Sequence, residues 1–269
     1  MNYNTNQWTI FNYPMGSGGK VLTTYFSQFK KMAHWSEQSL TLTESIAWYI
    51  NSLPGKDELW PMKEIDTPWK LPNISRSWPR GGDTTEAEFN QLVPKIKNEY
   101  FHRAWEQGLI IPDFWHKTKH PAWWSQANWI GIYIDDIDLY KKLLFSKLFE
   151  FKNNTVTDIL QRPDTGDQER RKCKEQFKNA WCWENVSSID EFFEATISQF
   201  PWYTGWDFTA EPQAPTITVT ELFDVDKVYN FLLQFEEQYK QKIDRDFVKS
   251  IHHAWVTASL IKINSLKDH

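Results

Sequence analysis

The segment Trp8-Thr9-Ile10-Phe11-Asn12-Tyr13-Pro14-Met15-Gly16-Ser17-Gly18-Gly19-Lys20-Val21-Leu22 constrains this chain more than any other. An apolar run from Trp8 to Tyr13 reads as a short strand. It breaks at a glycine turn and resumes at Lys20 with apolar residues at helical spacing. A strand that stops at a Gly-rich loop and restarts as a helix is a unit of α/β proteins, and one way in which they hold an oxyanion. Glycines let backbone N–H groups converge without Cβ obstruction, the helix start adds unpaired N–H groups and the positive end of its dipole, and a lysine supplies a mobile cation.

The loop departs from the strict phosphate-binding pattern. Walker A spacing asks for glycine at the position held by Pro14 and for Ser or Thr directly after the lysine. Val21 follows Lys20 instead, and the hydroxyls come later, at Thr23 and Thr24. A nucleotide triphosphatase uses the missing hydroxyl to hold Mg²⁺, so the ATPase and GTPase readings weaken. A turn that merely joins a strand to a helix explains the same letters; the strand before it, the lysine and the N-terminal placement favour the anion-binding one.

Length and charge bound the rest. A chain of 269 residues with formal net charge -5 suits one large α/β domain, taken here as 1–269, although two small ones would fit. Mild acidity gives no support to nucleic-acid binding, which needs a basic face. No apolar run is long enough to span a bilayer, and the N-terminus lacks a basic segment followed by an apolar stretch, so neither a membrane partner nor a secretory signal is expected. Cys173 and Cys182 match no zinc pattern and no disulfide scaffold; a reducing cytoplasm is the expected location, and no metal site is expected. The aromatic content is high, with 16 Trp and 18 Phe, including Pro121-Ala122-Trp123-Trp124 and Phe200-Pro201-Trp202-Tyr203. Core and loop packing explains it, as would aromatic walls around a ring-bearing or sugar-like ligand.

Along the chain, helical spacing predicts a first helix from Lys20 to Lys31 and a second from Thr43 to Leu53, with Thr41 and Glu44 placed as a capping box. Residues 54–83, rich in Pro, Trp and Gly, read as a long connection, a lid or substrate loop. A helix from about Thr85 to Gln107 is expected to stop at Gly108, with Pro94 as a kink. Leu109–Trp115 and Trp129–Ile134 read as strands, the first carrying a proline. Asp138 is expected to start a helix through Lys152. Helical patterns return at Gln168–Trp181 and Ile189–Gln199. Ala210–Thr218 is extended, Val219–Asp224 is expected to lead into a helix through Tyr239, and a last helix is expected from about Arg245 to Leu266. The alternation of apolar strand and amphipathic helix argues for a parallel sheet covered on both faces.

In open α/β sheets ligands bind at strand C-termini. Three groups fall there: the glycine loop, then His116, Lys117, Lys119 and His120, then Asp135 and Asp136. An imidazole near its ordinary pKa can accept a proton from a hydroxyl at neutral pH, which makes His116 or His120 an acid–base candidate beside the alternative of solvated surface residues. Ile130–Asp135 is similar to a Walker B strand, whose acid holds a metal; an acid capping the next helix explains it equally simply and is preferred. Arg76 and Arg80 in the long connection suit a bidentate clamp on sulfate or phosphate, or an ordinary exposed loop. His252 and His253, adjacent in a helix, face different ways; one is expected to pack and one to meet water, and neither is given a role. His34 reads as readily as a packing residue.

Tyr13-Pro14-Met15-Gly16-Ser17-Gly18-Gly19-Lys20-Val21-Leu22 resembles the N-terminal loop of the P-loop sulfotransferase-like family, in particular small members of phage and cyanobacterial type. The resemblance implies a three-layer P-loop fold: a parallel sheet flanked by helices, with extra C-terminal helices. It implies PAPS as donor, with the 5′ phosphosulfate on Pro14, Gly16, Ser17, Gly18, Gly19, Lys20 and Val21, assisted by Thr23 or Thr24, and no need of Mg²⁺. It implies Lys20 at the bridging oxygen, His116 or else His120 as base, PAP as product and a small-molecule or glycan acceptor. Leu222–Asp226 leading to Phe231–Leu233 is similar to a late turn and helix of such members. One departure stands out. Where the family has an arginine and then a serine for the 3′ phosphate, this chain has Asp135 and Asp136; Ser146 lies at a suitable distance, with Lys141 or Lys142 in the arginine's stead. The rival expectations are a kinase using ATP with Mg²⁺ held by Asp135 or Asp136, and a non-catalytic P-loop relative.

Overall fold

Trp8, Thr9, Ile10 and Phe11 are almost wholly buried, and this unbroken buried run, rather than an alternating one, marks the first strand as an interior one. In the computed structural model, residues 5–14, 16–26, 28–29, 34–37, 40–41, 70–72, 87, 91, 105–115, 126–151, 188–199 and 214–266 are described. Their strands are β1 (Trp8–Asn12), β2 (His34–Glu37), β3 (Leu40–Thr41), β4 (Lys70–Pro72), β5 (Ile111–Trp115), β6 (Asn128–Tyr133) and β7 (Thr216–Thr218). Their helices are α1 (Gly19–Phe26), α2 (Ile137–Phe151), α3 (Ile189–Gln199), α4 (Val225–Leu233), α5 (Glu236–Tyr239) and α6 (Arg245–Ser265), with 3₁₀ turns at Thr5–Gln7 and Glu221–Phe223.

The main sheet runs β5-β1-β6-β7 and every pairing in it is parallel. The register sets Asn12 of β1 against Trp115 of β5 and Gly131 of β6, so the strands release their connections at one edge. Pro112 sits in β5, which among the described residues is an edge strand, the place where a missing N–H is tolerated. A separate sheet orders β3-β2-β4, antiparallel then parallel.

The sheet is buried on both faces. Phe11, Ile130, Ile132 and Ile217, aligned by register, pack in one cluster with α1, α4, α5 and α6. Residues of the opposite parity, Trp8, Ile10 and Trp129, are buried too, and Trp105 lies against Trp8 with ring centroids 6.3 Å apart. A second cluster joins α2 and α3 through Tyr140, Leu144, Phe145, Phe192 and Phe193, with Ile134, Val219 and Leu266. The fold is therefore mixed α/β with a parallel sheet, as the alternation of elements implies.

Several boundaries shift for local reasons. Instead of reaching Lys31, α1 ends at Phe26, where Gln28 turns back to donate its side-chain amide to the Tyr25 carbonyl at 2.8 Å. The helix after β6 begins at Ile137 rather than Asp138, because Asp136 caps it by accepting from the Leu139 amide at 2.9 Å. The helix expected after Asp224 and through Tyr239 is broken into α4 and α5, behind the 221–223 turn. Asp224 caps α4 by accepting from the Asp226 and Lys227 amides, and Lys240 ends α5 in the left-handed region with φ 53°. Gly108 stops the preceding helical turn with φ 68°, as its position suggested. The expected helices at Thr43–Leu53 and Gln168–Trp181 lie outside the described residues, as does 54–83 apart from β4.

Candidate functional site

β1 lies between the two strands that follow it in this sheet, β5 on one side and β6 on the other. The chain passes from β1 to β5 on one side and from β6 to β7 on the other, so the order switches between β1 and β6, and the crevice at the carboxyl edge of such a switch is where open parallel sheets take ligands. The glycine loop occupies that edge. Its path requires glycine: Gly16 has φ 92° and Gly18 has φ 98°. Ser17 is fully buried and turned inward, its amide and hydroxyl both donating to the Pro14 carbonyl at 3.2 and 2.7 Å. That hydroxyl holds the turn. The first intrahelical acceptor after the loop is the Gly18 carbonyl, taken by the Leu22 amide at 3.1 Å. The helix start therefore offers the amides of Gly19, Lys20 and Val21 to a partner outside the helix ladder.

The side-chain faces of all three glycines are covered. A Cβ on Gly16 would stand 3.0 Å from Leu144 Cδ1 of α2, and one on Gly18 would stand 3.1 Å from both Leu222 Cδ1 and Trp255 Cζ2. A Cβ on Gly19 would overlap the Tyr13 ring. α2, the 221–223 turn, α6 and the end of β1 thus clamp the loop. Thr23 and Thr24 are buried inside α1, in the body of the helix below the loop.

The carboxylates at the end of β6 are engaged. Asp135 accepts from the Thr220 amide at 3.1 Å and from the Thr220 hydroxyl, tying the end of β6 to the turn after β7. Burial works to raise its pKa, but the bonds from Thr220 and from the Thr218 hydroxyl prevail and hold it below the ordinary carboxylate value. Asp136 is spent on the α2 cap. Among the described residues no cluster of His, Cys, Asp and Glu could hold a metal ion.

The residues expected at a 3′ phosphate are engaged as well. Lys141 Nζ donates to Asp190 of α3 at 2.6 Å and lies 5.4 Å from the centre of the Phe193 ring. The bond to Asp190 lifts its pKa above the ordinary lysine value. Ser146 is buried and donates to the Leu143 carbonyl within its own helix at 2.9 Å. Lys141 serves the α2–α3 pairing and Ser146 its own helix. The Lys20 side chain, His116 and His120 lie outside the described residues, as do Lys117, Lys119, Arg76 and Arg80. The register does place the end of β5 level with the end of β1, so the chain sets out toward His116 from the edge that carries the glycine loop.

Sequence reasoning did not find the clamp on the loop. Leu222 and Trp255 lie more than two hundred positions along the chain from Gly18, and nothing local marks their contact with it. The only signal available was the shared helix face of His252 and Trp255, three positions apart. His252 is buried and His253 exposed, as adjacent helical residues require. No helix among the described residues is long and apolar enough to cross a membrane. Comparison with family models, with curated proteins and with solved structures found no match.

Proposed function

We propose that the loop from Pro14 to Val21 binds the oxyanion end of a nucleotide-type donor, and that the chain is a PAPS-dependent sulfotransferase of the P-loop kind acting on a small-molecule or glycan hydroxyl or amine. The observation that carries this reading is the loop's position: a glycine turn at the carboxyl edge of a parallel sheet, following the interior strand β1 and running straight into a helix start. In the proposed reaction the acceptor oxygen or nitrogen attacks sulfur, the bond from sulfur to the bridging oxygen breaks, and PAP departs. His116, or else His120, takes the acceptor's proton, and Lys20 together with the loop amides meets the charge that grows on the phosphosulfate.

The engagement of Asp135 with Thr220 and of Asp136 with α2 favours metal-free transfer over a kinase that needs a carboxylate on Mg²⁺. A second reading, a non-catalytic P-loop relative that binds an anion, draws support from Lys141 and Ser146. Both are committed to structural partners, so neither waits for the 3′ phosphate.

Thermal unfolding of the whole chain with added ligands separates these readings. A ligand at a hundred times its Kd stabilises the folded state by about 2.7 kcal/mol, an easily read shift in Tm. Sulfuryl transfer predicts stabilisation by PAP or PAPS in the presence of a chelator. Stabilisation by ATP only with Mg²⁺ would replace it with the kinase. Stabilisation by inorganic sulfate or pyrophosphate, with no added effect of the nucleoside part, would leave the non-catalytic reading, and no response to any of them would end the oxyanion proposal.

A further inference from the structure

Glycine accepts either sign of φ, so a turn of glycines does not choose its own shape. Something outside the turn must hold Gly18 at φ 98°. Ser17 ties back to the Pro14 carbonyl and fixes only the first half of the turn. At Gly18 the wall is built by Leu222 and by Trp255, whose Cζ2 would stand 3.1 Å from a Cβ there. Leu222 is fully buried and belongs to the core. Trp255 is half-buried and packs on the edge of the cluster that α1, α4, α5 and α6 share. Its ring also meets that of Phe223, with centroids 4.8 Å apart and planes at 48°. Phe223 in turn packs against the cluster of α2 and α3. The indole is therefore held at the seam between the two clusters, with one edge against the glycine turn.

We propose that Trp255 is a positioning residue for the glycine loop: its indole edge, braced by Phe223, holds Gly18 and thereby aims the Gly19 amide out of the helix start toward an oxyanion. The oxyanion part rests on the loop reading given above. The link from Gly18 to Gly19 is the peptide between them. That unit is planar and trans, so its C=O and N–H point in opposite directions and turn together. The Leu22 amide donates to the Gly18 carbonyl at 3.1 Å, and while that bond holds, the Gly19 N–H faces back out of the helix start. Two glycines in a row would let this peptide flip at small steric cost, by rotation about the two Cα atoms that flank it. Trp255 and Leu222 stand against the first of those Cα atoms, and Tyr13 covers the second.

The size and exposure of the residue agree with that role. Trp brings a large rigid ring placed by only two side-chain torsions, so little freedom is lost in holding it. The buried face of α6 is supplied by Val248, Ile251 and Ala254, so the core does not depend on the indole for its filling. A smaller ring at 255 would cover the same edge of the core and stop short of Gly18. An amide that must be turned at the moment of binding subtracts its ordering cost from affinity, whereas one already aimed does not. Replacing Trp255 therefore acts on the grip more than on stability.

Trp255→Phe in the full chain tests this, with Phe247→Leu, two turns earlier in α6 and packed on the same cluster, as a control for general loosening. Hydrogen exchange without ligand follows the Leu22 amide, which reports on the Gly18 carbonyl. In Trp255→Phe its protection is expected to fall by about tenfold while the amides of β6 hold theirs. Titration with inorganic sulfate follows the grip, which is expected to weaken about ten- to a hundredfold in Trp255→Phe and to change little in Phe247→Leu. Phe223→Leu removes the brace and keeps the wall, so it is expected to move both readouts the same way by less. Leu22 protection that is unchanged in Trp255→Phe, or that falls as far in Phe247→Leu, overturns the proposal. Sulfate held equally by the wild-type and Trp255→Phe chains overturns it as well and leaves the loop reading standing. Sulfate that binds neither chain removes the oxyanion site, and the Leu22 contrast then decides the hold on Gly18 by itself. Should Trp255→Phe fail to fold, the same contrasts are read from Phe223→Leu.

Discussion

The glycine loop asks different things of different glycines. Gly18 must hold φ 98° and must also leave room for Leu222 and Trp255, whereas Gly108 must only hold φ 68° with nothing within 4 Å of its missing Cβ. Comparing alanine at the two positions separates backbone strain from packing. Gly108→Ala is expected to cost about 1–2 kcal/mol, the penalty of a left-handed L-residue. Gly18→Ala is expected to cost that amount and roughly 1–3 kcal/mol more, for the overlap with two side chains that are themselves packed. Urea denaturation midpoints measure both, and equal costs would show that the Gly18 contacts yield freely. The need for glycine here was legible from spacing alone. What covers Gly16 and Gly18 was not, because Leu144, Leu222 and Trp255 arrive from distant parts of the chain.

Elements were read well wherever their signals were local. β1, β5, β6 and α3 fall where apolar runs and helical spacing placed them, and α6 starts at Arg245, where the pattern put it. Its cap, the Asp244 carboxylate accepting from the Asp246 and Phe247 amides, is a signal of the same local kind. The end of β6 shows the limit of such reading. Two consecutive aspartates offered a metal ligand or a cap, and Asp136 proved to be a cap. Asp135 took a third part, a tie to Thr220 that is 85 residues away in sequence. Because its folded-state pKa lies below the ordinary 3.8, the tie contributes stability above that value and loses it as pH falls through the lowered one. Asp135→Asn is therefore expected to flatten the acid limb of stability, measured as the denaturation midpoint between pH 5 and pH 3. An unchanged acid limb would show that the Thr220 bonds contribute nothing to folding.

At the scale of the molecule, aromatic residues among the described ones do structural work. Phe26 touches Phe11 of β1, Phe29, Phe235 and Tyr239, with ring centroids from 4.9 to 6.3 Å apart. Phe29 and Tyr239 stack at 4.4 Å. The Tyr239 hydroxyl meets Thr9 Oγ1 of β1 at 3.3 Å, and burial pushes its pKa up to about 12 while the Thr9 bond draws it down. This knot joins the N-terminal unit β1–α1 to the C-terminal helices, and Gln28 reinforces it by accepting from the Gln241 side chain at 2.6 Å and the Asp244 amide at 2.9 Å. Phe26→Ala is expected to cost about 3–5 kcal/mol, the usual range for an emptied aromatic core site. The loss should appear as one cooperative transition in which C-terminal and N-terminal probes move together. Separate transitions would mean that the two ends fold independently. Packing alone thus accounts for these aromatic side chains. The Trp-rich stretches at 121–124 and 200–203, the other face of the sequence expectation, lie outside the described residues.

What the letters determined by themselves is the set of short-range facts: a buried strand at Trp8–Asn12, a glycine turn with positive φ, a helix start offering amides, caps at the heads of later helices, and a parallel alternation of elements. Each depends on residues a few positions apart, whose geometry the backbone dictates directly. Only the tertiary structure decided what the loop leans on and which polar groups remain uncommitted. Asp135, Lys141 and Ser146 are spoken for by Thr220, Asp190 and Leu143, and Leu222 and Trp255 press on Gly18. Such pairings arise when the sheet and its helices bury a common core, so they are set by shape and burial across separations as long as the 230 residues between Thr9 and Tyr239.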